Sequence, residues 1–304
     1  MPDATAQPVL STAQYRKFAL AAAVLALGFA IPLWKLFWFA VGDELHSYIP
    51  LMPLVSGYLV WTRKAALPRC STPGRRLAAF FVVAGLAATA GYFSLSRFAA
   101  PATVENTLAL STLAWLLLLS GAGCWFLGGA TMRVLAFPFF LLIFMLPFPT
   151  VLRDGIEAGL QHGSAEVADW LFTLSGTSVF RDHMLFRLPG ISLQVAPECS
   201  GIHSTLVLFI TSLVAGQVIL RSPWNRAWLC LAVIPLALLR NGFRVFVLGE
   251  LCIHVGPEMI DSPIHHHGGP LFFVLSLGPF FLLLYFLRKT ERAGATEPAP
   301  NSKK

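Results

Sequence analysis

The chain has 304 residues, of which 56% are hydrophobic and only 12% charged, and its net charge is +7. A water-soluble globular domain carries about 25% charged residues, so that class is excluded. A basic balance suits nucleic acid in a soluble chain, but here Lys and Arg sit in short loops between apolar blocks, the pattern that orients a membrane protein.

Eight apolar blocks predict an all-α membrane protein of about eight transmembrane helices: 18–41, 47–62, 77–95, 106–127, 132–151, 203–220, 226–248 and 271–287. Most approach the roughly 20 residues that cross a bilayer. The first follows a polar-leaning stretch without a small-residue cleavage site, which predicts a retained helix. The second, from Ser47 to Trp61, is short and holds Pro50 and Pro53, so re-entry on one side is its alternative.

With the N-terminus inside, alternate loops collect Arg16, Lys17, Arg63, Lys64, Arg69, Arg75, Arg76, Arg133, Arg221, Arg226, Arg288, Lys289, Arg292, Lys303 and Lys304, fifteen of the 22 basic residues. Cytoplasmic loops are enriched in Lys and Arg, so both termini are expected in the cytoplasm.

The longest external stretch in this scheme is 152–202. It opens with Ile156, Leu160, Val167, Leu171 and Leu174 at helical spacing, which predicts an external amphipathic helix at the interface. Ser178 to Leu188 and Ile191 to Val195 are short alternating runs split by Pro189 and Gly190, a small β-hairpin. The chain then enters Pro197-Glu198-Cys199-Ser200-Gly201, just before the sixth span. There is no internal repeat, so residues 1–304 read as one transmembrane domain, with 293–304 a disordered cytoplasmic tail.

Five cysteines, Cys70, Cys124, Cys199, Cys230 and Cys252, show no paired CxxC spacing. Cys124, Cys230 and Cys252 lie in apolar stretches, where a thiol acts as a small hydrophobe. Cys199 alone has a polar context, at a helix start where unpaired amides and the helix dipole favour a thiolate.

Arg240 and Arg244 are i and i+4 on the seventh span, hence on one face. From Arg226 at the inner interface, the helix rises roughly 27 Å to Arg244, near the outer edge of the hydrocarbon core. His265, His266 and His267 precede the eighth span on the same side. A thiol, a guanidinium and an imidazole are the parts of a cysteine acyl-transfer site. The other roles open to them are packing for the cysteine, snorkelling to phosphates for Arg244, and metal binding for the histidines. Consecutive His side chains point apart on a helix and no HExxH spacing occurs, so no metal is expected.

Ala196-Pro197-Glu198-Cys199-Ser200-Gly201-Ile202, then Asn241-Gly242-Phe243-Arg244, then His265 with Gly269 and Phe273, resemble the exosortase and archaeosortase signature over the C-terminal half. Asp43 to Lys64, with His46, Pro50 and Pro53, is similar to the early part of that family. The resemblance implies a polytopic Cys-Arg-His transpeptidase: Cys199 as nucleophile, Arg244 as the cation for thiolate or oxyanion, His265 as general acid and base. An offset of one in the histidine pattern selects His266 or His267 instead. Arg240 stands beside the motif as a secondary candidate for substrate or phosphate contact, and Asn241, Glu198, Ser200, His266 and His267 are further substrate-binding or secondary candidates.

No cofactor is implied. The implied substrates are exported proteins with C-terminal sorting tails, each a Pro-Glu-Pro-type motif, an apolar helix and a basic end. The acceptor is a membrane lipid or other amine, and hydrolysis stays open beside transfer. The implied place is a bacterial inner membrane, with the site on the periplasmic face and no nucleic-acid partner. The rival expectation is a non-catalytic component of exopolysaccharide export or assembly, with polar residues that bind a headgroup. A transporter would carry charges near the midplane of several spans, and most spans here lack them.

Overall fold

The computed structural model describes residues 12–68, 72–98, 104–189, 191–195, 200–261 and 269–296. The chain is mostly helical and divides into two compact units, Met1–Arg153 and Asp154–Lys304.

In the first unit, α1 (Thr12–Gly28) and α2 (Ala30–Gly42) meet at a bend of 72°. Pro32 has no amide hydrogen for the Gly28 carbonyl, so the first apolar block breaks there instead of running straight. Next come α3 (Leu51–Thr62), α4 (Arg75–Phe98) and α5 (Val104–Phe126). The helices α4 and α5 pack closely because glycines face the partner. A Cβ on Gly85 would lie 2.8 Å from Leu118 Cγ, and one on Gly121 2.8 Å from Val82 Cγ2. Small residues at the interface are how helices approach one another in lipid. Leu77, Phe80, Val83 and Leu86 on α4 are exposed, a surface suited to acyl chains.

The expected fifth span, 132–151, is not one helix. It forms α6 (Gly129–Val134), α7 (Ala136–Leu141) and a 3-10 turn (Leu142–Met145). Pro138, Pro147 and Pro149 each lack the donor that would continue a helical ladder. The second expected span is the 12-residue α3, about 18 Å long at 1.5 Å per residue, against a hydrocarbon core of about 30 Å. Among the described residues, five helices are long and apolar enough to cross a membrane, up to seven if each bent pair forms one span; the sequence predicts eight.

The segment before α3 is fixed by a buried histidine. The Phe148 amide donates to His46 Nε2 at 3.2 Å, so Nδ1 carries the hydrogen, 3.3 Å from Asp43 Oδ2. Burial holds the His46 pKa below its ordinary value although Asp43 pulls the other way.

The second unit begins with α8, which spans Thr150–Ser175. Its buried stripe is Leu160, Ser164, Ala165, Ala168 and Phe172, whereas Ile156 and Leu174 are exposed. The helix is amphipathic as expected, but its inner face is set by small residues beneath α10 and not by the larger aliphatics. Three antiparallel strands follow, β1 (Phe180–Asp182), β2 (Leu185–Leu188) and β3 (Ile191–Gln194), in the order β1-β2-β3. The hairpin expected around Pro189 and Gly190 is β2–β3, with Leu188 opposite Ile191, and β1 extends it to a meander. Phe186, Leu188 and Leu193 face a core shared with Phe172, Val245 and Leu248. Arg181 ties the sheet to α8: Nη2 donates to Glu166 at 2.7 Å and the guanidinium lies 5.7 Å from the Phe186 ring centre. The hydrogen bond to Glu166 raises the Arg181 pKa.

Three long helices complete the chain: α9 (Ile202–Ile219), α10 (Pro223–His254) and α11 (Gly269–Thr296). A Cβ on Gly242 would meet Val167 Cβ at 2.6 Å, and one on Gly249 would meet Phe172 Cζ at 2.5 Å, so α10 lies hard against α8. At the other end of α10, Glu291 accepts from the Arg221 amide (2.9 Å), the Ser222 amide (2.8 Å) and Asn225 Nδ2 (3.0 Å). It holds the two amides that lead into α10, where Ser222 makes no side-chain cap of its own. The helix α11 reaches Thr296, past the expected start of a disordered tail, and 297–304 lie outside the described residues.

Candidate active site

The start of α9 is held by the middle of α10. Gly201 has φ 66° and ψ 22°, a left-handed conformation that turns the chain into α9 and costs a residue with a Cβ about 1–2 kcal/mol. Asn241 Nδ2 donates a short hydrogen bond to the Ser200 carbonyl, and both residues are buried. Arg240 Nη2 donates to the Gly201 carbonyl at 3.3 Å and to Thr205 Oγ1 at 3.1 Å. Arg240 is 7% exposed. Its Nη1 is buried and has no hydrogen-bond partner among the described residues. Arg244 follows one turn later on α10 and is half-buried.

A carboxylate approaches from α8. Glu157 Oε1 lies 3.4 Å from Ser200 Oγ, which also accepts from the Ile202 amide at 3.4 Å. Neither Glu157 nor Thr205 is marked by the sequence reading. The available signal was Glu157 one turn before the buried Leu160, an acidic group at the edge of the inner stripe. Cationic Arg240 and the amides of the α9 start favour negative charge at Ser200–Gly201, while the Glu157 carboxylate opposes it and can accept a hydrogen bond from a polar group.

Of the expected site residues, Arg240, Asn241 and Ser200 come together here, with Arg244 on the same helix. Glu198, Cys199, His265, His266 and His267 lie outside the described residues, as does Cys70. Cys124 and Cys252 are buried, and Cys230 is half-buried with its sulfur 3.4 Å from the Ser212 hydroxyl. Among the described residues no three His, Cys, Asp or Glu side chains group as a metal site.

The family model of the transmembrane exosortases matches residues 34–282. The chain belongs to the transmembrane exosortase family. That match runs from α2 into α11, so it takes in both units and every described residue of the candidate site. No curated protein and no solved structure matches the chain. With its long apolar helices, this exosortase is a multi-pass membrane protein.

Proposed function

We propose that this exosortase is a cysteine transpeptidase or protease that cuts the C-terminal sorting tails of exported proteins and passes them to an acceptor. Cys199 attacks the carbonyl of the scissile peptide bond, His265 moves the proton from thiol to leaving amine, and Arg244 stabilises the oxyanion. The C–N bond breaks and a thioester to Cys199 forms. An acceptor amine then attacks the thioester, a new amide forms, and the thiol regains its proton. An apolar tail beside the enzyme confines both reactants to the membrane plane, which removes much of the translational cost.

The observation that supports this reading is the tie between α10 and the chain directly after Cys199, through Asn241 to Ser200 and Arg240 to Gly201, in a chain of this family. The test is co-expression with an exported protein whose tail carries a Pro-Glu-Pro-type motif, an apolar helix and a basic end. Mass spectrometry of its new C-terminus is expected to show loss of the tail and the added mass of an acceptor. A free carboxylate would make the enzyme a hydrolase, and an uncut tail would end the reading.

We further propose both termini in the cytoplasm and the site on the periplasmic face of the bacterial inner membrane. Reporter fusions at Ser71, Ser222 and Asn301 are expected to read cytoplasmic, and those at Gly163 and Pro263 external. An internal signal at Gly163 would contradict the periplasmic site. The Ser71 fusion also reads whether the short α3 belongs to a crossing segment, since Arg63, Lys64, Arg69, Arg75 and Arg76 cluster around it.

A further inference from the structure

The first unit is electrically lopsided. Between residues 12 and 153 its only acidic side chains are Asp43, Glu44 and Glu105. Asp43 lies 3.3 Å from His46, and Glu105 acts on the same imidazole, so the carboxylates share one end of the unit. Glu105 is also bonded to Arg153 at 3.0 Å. From Glu105, α5 carries the chain roughly 32 Å to Phe126, several screening lengths away.

That far end collects cations. The Gly74 amide donates to the Cys124 carbonyl at 3.0 Å and the Gly129 amide to the Thr72 carbonyl at 3.2 Å, so the α4 start lies level with the α5 end. Arg63 Nη1 donates to the Val134 carbonyl at 3.0 Å, which ties the end of α3 to the end of α6. Lys64, Arg75, Arg76 and Arg133 are all exposed there, and no carboxylate pairs with any of them among the described residues.

A groove of about 470 Å³ runs between α1, α4 and α5 beside these cations, within the ~300–1,000 Å³ of ligand clefts. Its walls are apolar side chains, among them Val24 and Leu25 of α1, Ala79 and Val82 of α4, and Ala122 and Trp125 of α5. Arg75 and Arg76 precede Ala79 by four and three residues, so they stand one turn below the groove on the α4 face that lines it. A free phosphate would satisfy the arginines and leave the groove empty. A hydrocarbon would fill the groove and leave the arginines without an anion. A second copy paired symmetrically here would set the same cations against one another. An anionic head joined to an apolar chain satisfies both features at once.

We propose that this groove binds an acyl chain of an anionic phospholipid whose phosphate is held by Arg75 and Arg76. The first amides of the 24-residue α4 also favour negative charge at that point. Lys64 and Arg133 raise the preference for a head of net negative charge over a zwitterionic one. In the orientation proposed above, the lipid belongs to the cytoplasmic leaflet, and half-exposed Trp125 sits at its interface.

The test is native mass spectrometry of the full-length protein in mild detergent, titrated with dioleoyl-phosphatidylglycerol or dioleoyl-phosphatidylcholine. The parent is expected to take one phosphatidylglycerol about tenfold more tightly than phosphatidylcholine, a preference that shrinks as salt rises. R75Q/R76Q should bring the two lipids to the same Kd. A79F, which fills the groove from an exposed position and keeps both arginines, should weaken both lipids. R288Q/K289Q, which removes exposed cations of α11, should leave both affinities unchanged. Equal affinity of the parent for the two lipids overturns the proposal. So does a preference that survives R75Q/R76Q, or one lost in R288Q/K289Q, which would reduce it to diffuse attraction by net charge. Unchanged binding in A79F would put the chain outside the groove, and a dimer that forms at the expense of bound lipid would make a second copy the occupant; either result overturns it. The readout is binding, so it stands apart from the cysteine chemistry.

Discussion

Cys199→Ala is expected to reduce tail cleavage on the order of a thousandfold or more, to below detection on a gel. Replacement of Cys70, Cys124, Cys230 or Cys252 by Ala or Ser should each leave cleavage in place. The contrast follows from surroundings. Cys124 and Cys252 are buried, Cys252 in the core with Leu248 and Val245, and Cys230 meets the Ser212 hydroxyl. Thiols in such places act as small hydrophobes, and their loss costs packing on the order of 1 kcal/mol. Cys199 precedes the left-handed Gly201 by two residues in the sequence and is the nucleophile proposed above. Immunoblots of the membrane fraction establish that each variant is inserted at normal levels. Normal cleavage by Cys199→Ala would end the cysteine mechanism. In the same assay His265, His266 and His267 are replaced singly, and one dominant loss is expected, at His265.

The parts of this fold that were legible in the sequence are those whose signal is local. Long apolar runs gave α4, α5 and α9 close to their observed bounds and the apolar parts of α10 and α11, whose ends run on to His254 and Thr296, because lipid allows only internally bonded helices of bilayer length. Pro189 and Gly190 gave the β2–β3 turn. The turn from β1 to β2 has neither residue; it passes through His183 at φ 55°, which is why β1 was merged with β2 in one run. Residues 132–151 looked like a span because hydropathy counts apolar side chains, whereas Pro138, Pro147 and Pro149 decide whether backbone bonds can continue. The spacing of Arg240 and Arg244 was readable as one helix face. That Arg240 is the buried one, bonded 39 residues back to Gly201, depends on a tertiary contact that no local pattern encodes. Glu157 escaped notice for the same reason, since its partner Ser200 is 43 residues away.

That tertiary contact is expected to make Gly201 as sensitive as the proposed nucleophile. Gly201→Ala is expected to cost roughly 2–5 kcal/mol and to abolish most cleavage, by two separable routes. The first is conformational, because a Cβ at φ 66° opposes the left-handed backbone by about 1–2 kcal/mol. The second is steric. The added Cβ would lie 2.5 Å from Asn241 Oδ1 and 2.9 Å from its Cγ and Nδ2. Asn241 is 3% exposed, so its amide has little room to retreat except by giving up the hydrogen bond to the Ser200 carbonyl. A buried amide left unsatisfied costs about 1–3 kcal/mol. The two routes part in a double-mutant cycle. Asn241→Ala alone removes the bond but no clash exists to relieve, whereas in the Gly201→Ala background it removes the clash that the methyl creates. Thermal melts of the four proteins are therefore expected to be non-additive, the double variant losing less than the sum of the singles, with a coupling of about 1–3 kcal/mol. Cleavage should stay low in the double variant, because the strained turn still misplaces the chain next to Cys199. Additive melts would mean that Asn241 moves freely and does not hold the α9 start. Normal cleavage by Gly201→Ala would mean that the turn tolerates a side chain and that the bonds from α10 to Ser200 and Gly201 are not needed to present the nucleophile.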